Sequence, residues 1–337
     1  MKATRRDILR AGVVGSAGLL ASRAHALGAS ATPGASAPGL QPFRVAHLTD
    51  MHVQPERRAG EGYTAALQSL ETISPRPDLI VTGGDHVMDS LEQTLERTKT
   101  QWDVYHRAIA ATKIPVKSII GNHDMWGWGM KDIPDTAAGY GRAMALDQLQ
   151  LAKPYYSFDI GGDGGGAAGA GWHFVMLDSM TRRDFSYAGN FGPGQTEWLK
   201  ADLAAASAAK KNIILFSHIP ILGVCVFFDG GPKRIRETEW NVPDSWMHHD
   251  AHAIVDLLDE HNVKLAVSGH IHLVDRCEYR GTTYICDGAV SGNWWKGPLA
   301  QFPEGYGVID LYPDGRFEHE YLTYGWKALK EDDKVKG

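Results

Sequence analysis

Five apolar runs in this 337-residue chain each end in side chains that bind metal ions well: Asp50-x-His52, Gly83-Gly84-Asp85, Gly121-Asn122-His123-Asp124, Ser217-His218 and Gly269-His270-Ile271-His272. Carboxylate, carboxamide and imidazole donors suit divalent transition metals, and α/β folds keep their sites at the carboxyl ends of strands. Repeated five times, the pattern lines one sheet edge with such donors, as a two-metal hydrolytic site requires. In Asp50-Met51-His52 the acid and imidazole stand two residues apart, so in extended backbone they project to the same side and can share one ion. Asp85 follows two glycines, which let the chain turn sharply so that its carboxylate can bridge two cations. Asn122 offers a neutral oxygen. His218 and the His270/His272 pair add three imidazoles, and the i, i+2 spacing of the last two aims both at one place.

Positioning these groups requires strands that stop just before them. Short runs with strand character cover Phe43 to Thr49, Asp78 to Thr82, Val116 to Ile120, Tyr155 to Ile160, Trp172 to Leu177, Asn212 to Phe216 and Lys264 to Val267. Helical periodicity falls between them, over Gly62 to Ile73, Leu91 to Ala111, Gly194 to Ala206 and Ala251 to His261. The later runs Leu273 to Tyr279, Thr282 to Ile285, Tyr306 to Leu311 and Phe317 to Thr323 predict antiparallel hairpins, with Asp314-Gly315 as a turn. The whole predicts an α/β protein with two mixed sheets covered by helices. Gly161 to Gly171, rich in Gly and Ala, is expected to be an insertion without chemistry.

The first residues stand outside this pattern. Thr4-Arg5-Arg6-Asp7-Ile8-Leu9-Arg10, a weakly apolar stretch to Ala21, and Ala24-His25-Ala26 have the form of a twin-arginine signal peptide cleaved after Ala26. The stretch is too short to span a bilayer, which takes about 20 apolar residues, so no stable membrane anchor is expected. The expected organisation is a leader at 1–26, a flexible linker at 27–41, one domain at 42–327 and a charged tail at 328–337. Export by the twin-arginine machinery to the periplasm or beyond follows, a route that suits a protein folded around its cofactor beforehand. The chain carries a net charge of −6, and the leader holds Lys2, Arg5, Arg6, Arg10 and Arg23 against Asp7, so the body is more acidic still. That argues against nucleic acid as a partner, which needs a basic footprint, and leaves room for a small phosphoester. Cys225, Cys277 and Cys286 are too few for a disulfide framework. A tight turn at Arg280-Gly281 would pair Cys277 with Tyr284 rather than with Cys286.

Taken together, D-x-H, G-D, G-N-H-D, H and G-H-x-H resemble, complete and in order, the motif series of the calcineurin-like metallophosphoesterases, over about residues 43 to 290. The resemblance implies a four-layer α/β/β/α sandwich and two Fe, Mn or Zn ions. It implies one ion on Asp50, His52, Asp85 and His272, and another on Asp85, Asn122, His218 and His270, with Asp85 as the bridge. His123 would protonate the leaving oxygen or stabilise phosphoryl charge, and Asp124 would orient its ring. Two cations about 3.5–4 Å apart lower the pKa of a bridging water toward neutrality and polarise the phosphoryl oxygens for in-line attack.

The other histidines carry less. His47, His106, His173 and His319 are expected to be structural or solvated, His86 to support Asp85 or simply to pack, and His248, His249 and His252 to lie on a solvated helix face. For the substrate, the purple acid phosphatase branch is disfavoured, because Met88 stands where those enzymes have a tyrosine. The arginines that protein Ser/Thr phosphatases place after these motifs are replaced here by Met125-Trp126-Gly127-Trp128. Phe227-Phe228, Trp240, Trp246 and Asn293-Trp294-Trp295-Lys296-Gly297 suggest walls for an apolar or ring-bearing group, or else core packing. A phosphodiester is therefore favoured. The alternatives are a phosphomonoesterase or nucleotidase of the same fold, and a non-catalytic protein-binding module.

Overall fold

The computed structural model describes residues 41–161, 171–227, 234–236 and 239–330. The leader, the linker up to residue 40, the Gly/Ala-rich insertion, Phe228 and the end of the tail lie outside the described residues. Two sheets face each other. The first has the order β15-β14-β1-β2-β3, from β1 (Phe43–Leu48), β2 (Leu79–Gly83), β3 (Val116–Ile119), β14 (Gly305–Leu311) and β15 (Phe317–Thr323). The second has the order β12-β13-β11-β8-β5-β4, from β4 (Tyr156–Ile160), β5 (Trp172–Met176), β8 (Asn212–Phe216), β11 (Val263–Ser268), β12 (Asp275–Tyr279) and β13 (Thr282–Cys286). Two small ribbons, β6 (Met180–Arg183) with β7 (Ser186–Gly189) and β9 (Arg234–Arg236) with β10 (Glu239–Trp240), complete the strands.

Strand alternation distributes the core. Val45 in β1 packs between the sheets with Phe174, Ile214, Phe216 and Val267. Its neighbours Ala46 and Leu48 face the other way, into the cluster of α1 (Ala59–Thr72) and α2 (Leu95–Ile109). In α1, Tyr63, Ala66, Leu67 and Leu70 form one buried stripe at helical spacing, each large side chain contributing about 1.5–3 kcal/mol by leaving water. On the far side Ile213 and Leu215 of β8 meet Leu199 and Leu203 of α4 (Gly192–Ala208) and Ile254 and Leu258 of α5 (Ala251–Asp259). The result is a helix layer, two sheets and a second helix layer. The short α3 (Arg142–Gln148) was not foreseen from the sequence, nor was the β6–β7 hairpin.

Parallel pairing sets the site. β1, β2 and β3 run parallel, as do β5, β8, β11 and β13, while β14 and β15 in the first sheet and β4 and β12 in the second pair antiparallel. All five ligand-bearing segments follow parallel strands, β1, β2, β3, β8 and β11, so their side chains gather at one end. The β12–β13 turn has Arg280 and Gly281 at positive φ, which pairs Cys277 with Tyr284, and all three cysteines are free. Among the described residues no helix is long and apolar enough to cross a membrane.

Several histidines outside the donor motifs are tied into this frame. His47 and His319 both bond Asp287, at 2.7 and 2.8 Å, in the layer between the sheets. His248 is a correction to the solvated helix face: it precedes α5, is buried against Phe191 and bonds Asp250 at 3.0 Å. His249 and His252 are exposed as expected.

His173 donates from Nδ1 to Asp159 at 2.7 Å and from Nε2 to Asp202 at 2.9 Å. Burial alone would lower its pKa, but the bonds to Asp202 and Asp159 raise it above the ordinary 6.5. A pKa raised by folding contributes stability that is complete below pH 6.5 and fades as pH rises through the folded value. Asp159 is half exposed, so His173→Gln should lower the unfolding free energy at pH 6 by only about 1 kcal/mol. The deficit should shrink by pH 9 in urea titrations; an equal deficit at both pH values would show that His173 is uncharged in the folded protein.

Candidate metal centre

The centre is organised around two carboxylates that the fold buries, Asp50 at 0% exposure and Asp85 at 1%. One oxygen of each is spoken for by the chain. Asp50 Oδ2 accepts from Thr49 Oγ1 at 2.7 Å and from the His270 amide at 2.8 Å. Asp85 Oδ1 accepts from the His123 amide at 2.8 Å. The other oxygens point inward. Asp50 Oδ1 has no hydrogen-bond partner and stands 3.2 Å from His272 Nε2 and 3.8 Å from His52 Nε2. Asp85 Oδ2 stands 3.2 Å from His218 Nε2 and 3.7 Å from His52 Nε2.

Three of the four imidazoles are anchored on their outer side, which fixes what the inner nitrogen presents. His218 donates from Nδ1 to Gly83 O at 2.8 Å, and His272 from Nδ1 to Gly292 O at 2.7 Å. His270 donates from Nε2 to Ser245 O at 2.8 Å, leaving a buried Nδ1 without a partner. Such second bonds choose the tautomer and leave a lone pair aimed at an ion. His52 Nε2 and His272 Nε2 lie only 3.0 Å apart, and His218 Nε2 is 3.1 Å from Asn122 Oδ1. Lone pairs, an orphaned carboxylate oxygen and a carboxamide oxygen that converge in this way fit cations. The donor atoms form three overlapping groups within 4.8 Å: Asp50, His52 and His272; His52, Asp85 and His123; and Asp85, His218 and His270.

The charges respond as a cation site would require. Burial works against ionising Asp50 and Asp85, yet the imidazoles of His272 and His218 hold both well below the usual carboxylate range. His218, despite its burial, is pushed up to about 9 by the Asp85 charge and hydrogen bond. Burial drives His52 down to about 4, and burial with the His218 charge drives His270 down to about 3. A bound cation competes with the His218 proton and finds the imidazoles of His52 and His270 already neutral.

Three expectations change in detail. Asp50 and His52 do meet, but not through extended backbone: Asp50, His52, Asp85, His270 and His272 all have φ between 44° and 71°. The i, i+2 spacing of His270 and His272 does not bring them to one place; they divide as the resemblance implies, His272 with Asp50 and His52 and His270 with Asp85 and His218. Asp124 does not orient His123. The turn Asn122–Asp124 is a 3₁₀ helix, which rotates successive side chains about a third of a turn apart, and Asp124 points inward. It accepts from the amides of Gly121 and Asp85 at 2.9 and 3.1 Å, and from the His86 amide and ring, both at 2.9 Å. His86 is thereby a strut between Asp124 and Thr82. The carboxylate beside His123 is Asp89, 3.9 Å from its Nδ1, a residue that no motif spacing marked.

A cavity of about 410 Å³ opens over the centre. His52, Asp85, Asn122, His123, His270 and His272 form its floor, and Tyr187, Trp246, Trp294, Ile271, Leu273 and Leu299 its walls. Trp126, Trp128 and Trp295 are instead buried in the core, and Phe227 borders a neighbouring cavity. Tyr187 was missed because it sits in the short, charged β6–β7 hairpin, whose local sequence carries no ligand signal.

Residues 43–274 match the family profile of the calcineurin-like phosphoesterases. The chain belongs to that family. These phosphoesterases depend on a binuclear metal site, which the Asp/His clusters fit. A protein of Xenorhabdus bovienii described as a probable cyclic nucleotide phosphodiesterase is 23% identical over 288 residues, covering 81% of this chain and 97% of that one. Among solved structures, a dimetal phosphatase from Danio rerio has a TM-score of 0.55 at 15% identity, covering 85% of this chain and 100% of that chain. GAP50, the anchor in the inner membrane complex of Plasmodium, has a TM-score of 0.53 at 16% identity, covering 85% of each. At these identities the structural likeness speaks for the fold alone.

Asp85 is the carboxylate shared between groups, so its loss should cost metal before it costs fold. Asp85→Asn is expected to retain fewer than the about two metal ions per chain of a two-metal site, measured by elemental analysis beside circular dichroism. Full occupancy in that variant would show that Asp85 is not the bridge.

Proposed function

We propose that this phosphoesterase is an exported phosphodiesterase. The observation that carries the choice of diester is the cavity wall. Among the described residues lining it there is no lysine or arginine, while Tyr187, Trp246, Trp294 and Leu273 offer apolar surface. A monoester dianion calls for cationic side chains around its free oxygens, whereas a diester carries one charge and two substituents that need walls. Arg97, which borders a smaller cavity of about 160 Å³ shared with His123, is clamped by both oxygens of Glu56 at 2.9 and 2.5 Å.

In this reading Asp50, His52, Asp85 and His272 hold one ion, and Asp85, Asn122, His218 and His270 the other, with Fe, Mn and Zn all suited to such donors. When bound, the pair supplies a water acidified toward neutrality and a positive field for the phosphoryl oxygens. His123 is partly exposed at the cavity floor, with its ring edge-on to His52 at 4.7 Å. Its role is to place a proton on the leaving oxygen, with the Asp89 carboxylate 3.9 Å from its Nδ1. The scissile phosphate sits between these groups, and the aromatic walls keep bulk water from its substituents.

Hydrolysis of bis-p-nitrophenyl phosphate and p-nitrophenyl phosphate by protein of known metal content tests this. The diester should be preferred at least about tenfold in kcat/KM, about 1.4 kcal/mol of transition-state binding, and a monoester preference would overturn the reading. In the same assay His123→Ala should keep its metals and lose about 10²–10⁴-fold on alkyl diesters. Loss on p-nitrophenyl esters should be far smaller, because that leaving group needs no proton; equal losses would remove His123 as the acid.

Export rests on the leader, with twin-arginine passage of the folded, metal-loaded protein to the periplasm. Protein recovered from that compartment should begin at Leu27 by intact mass, and Arg5→Lys with Arg6→Lys should leave it unprocessed in the cytosol. A full-length chain in the periplasm would refute the cleavage.

A further inference from the structure

The segment that brings Trp294 to the cavity is conformationally expensive. Trp294 and its neighbour Trp295 have φ of 50° and 68°, a left-handed backbone that bulky side chains rarely adopt and that costs about 1–3 kcal/mol per residue. Strain of this size persists only where the surroundings fix it.

Trp295 does the fixing. Its ring is fully buried, and its indole N–H is shared between the carbonyls of Met51 and His52, both at 3.0 Å. It lies so close to Gly62 that a Cβ there would stand 2.1 Å from the ring. Its amide closes a turn onto Ser291 O at 2.7 Å, and the same segment accepts the His272 ring bond at Gly292 O. The loop is therefore pinned to the backs of two ligand-bearing segments.

The strained pair leaves Trp294 partly exposed while Trp295 is buried. The Trp294 ring lies 4.7 Å from the His272 ring and 6.0 Å from the His52 ring, tilted at 44° and 57°, and lines the cavity together with Tyr187 and Trp246. Lys296 Nζ sits 5.8 Å from the same ring. A phosphate seated over the centre that these imidazoles line would carry its substituent beside the indole. We propose that Trp294 is a stacking platform for a heteroaromatic ring on one arm of the diester, so that the substrate is a nucleotide rather than an alkyl or headgroup diester. Because every nucleobase has a π-face, the platform distinguishes ring from no ring and is tolerant of which base is bound. This deepens the phosphodiesterase reading and rests on it.

The experiment compares adenosine 5′-monophosphate and cytidine 5′-monophosphate with ribose 5-phosphate, which keeps the sugar and phosphate and lacks the ring. Binding to the metal-loaded protein is read by calorimetry, and competition is read against bis-p-nitrophenyl phosphate hydrolysis. Both nucleotides should bind about 5- to 150-fold more tightly than ribose 5-phosphate, the range of base stacking on an aromatic side chain. Trp294→Ala should bring that ratio near one, and Trp294→Phe should keep most of it. A ratio near one in the wild type would overturn the platform, as would a large ratio that survives in Trp294→Ala. Failure to turn over bis-p-nitrophenyl phosphate would sink the phosphodiesterase reading instead, and the calorimetric ratio would still decide the platform.

Discussion

Two carboxylates closed off from water govern this protein. An ionised Asp in an apolar interior is tolerable only with opposite charge or directed hydrogen bonds around it, and Asp50 and Asp85 are met mainly by imidazoles. Imidazole can either carry the compensating charge or, once neutral, offer a lone pair to a cation, and so suits a site built on buried carboxylates. The chain satisfies half of each carboxylate with its own Thr49 hydroxyl and the His270 and His123 amides, and leaves the other half open. Both sheets and the loops that leave them are arranged around keeping that arrangement in register.

The means is backbone shape at strand ends. Parallel strands from both sheets deliver their carboxyl ends to one place, but a strand that simply continued would throw its side chains to alternate faces. Left-handed residues at Asp50, His52, Asp85, His270 and His272 break the strand direction at the point where the donor is needed. Gly121 has the same purpose by a different route, since a Cβ there would collide at 2.2 Å with the Asp85 amide and carboxylate. Behind these groups, Asp124 and His86 spend their polar atoms on amides and on Thr82, holding the Asp85 turn without entering it.

Above the centre the character reverses from polar to aromatic. The same loop that orients His272 through Gly292 O also buries Trp295 and exposes Trp294, so the wall of the cavity and a ligand imidazole are set by one piece of backbone. The direction of the His272 imidazole and the shape of the cavity wall are therefore mechanically linked on that side, whereas Tyr187 comes from an independent hairpin.

The order of the strands of both sheets and of the long helices was legible in the sequence because it depends on local features: apolar runs, helical stripes such as that of α1, and the Asp314-Gly315 turn. The donor residues could be read for the same reason, each standing two to four residues past a strand. Their directions could not. That Asp124 serves His86 and the Asp85 turn while Asp89 lies beside His123 depends on the sign of φ and on what a loop from a distant strand places opposite, and the i, i+2 spacing of His270 and His272 alone pointed both to one place. The burial of His248 against Phe191, and the division of the tryptophans between core and cavity, are likewise contacts between segments far apart in the chain. The sequence determined which chemistry the strand ends carry; the tertiary structure alone decided where each group points, because direction is set by non-local packing and not by spacing.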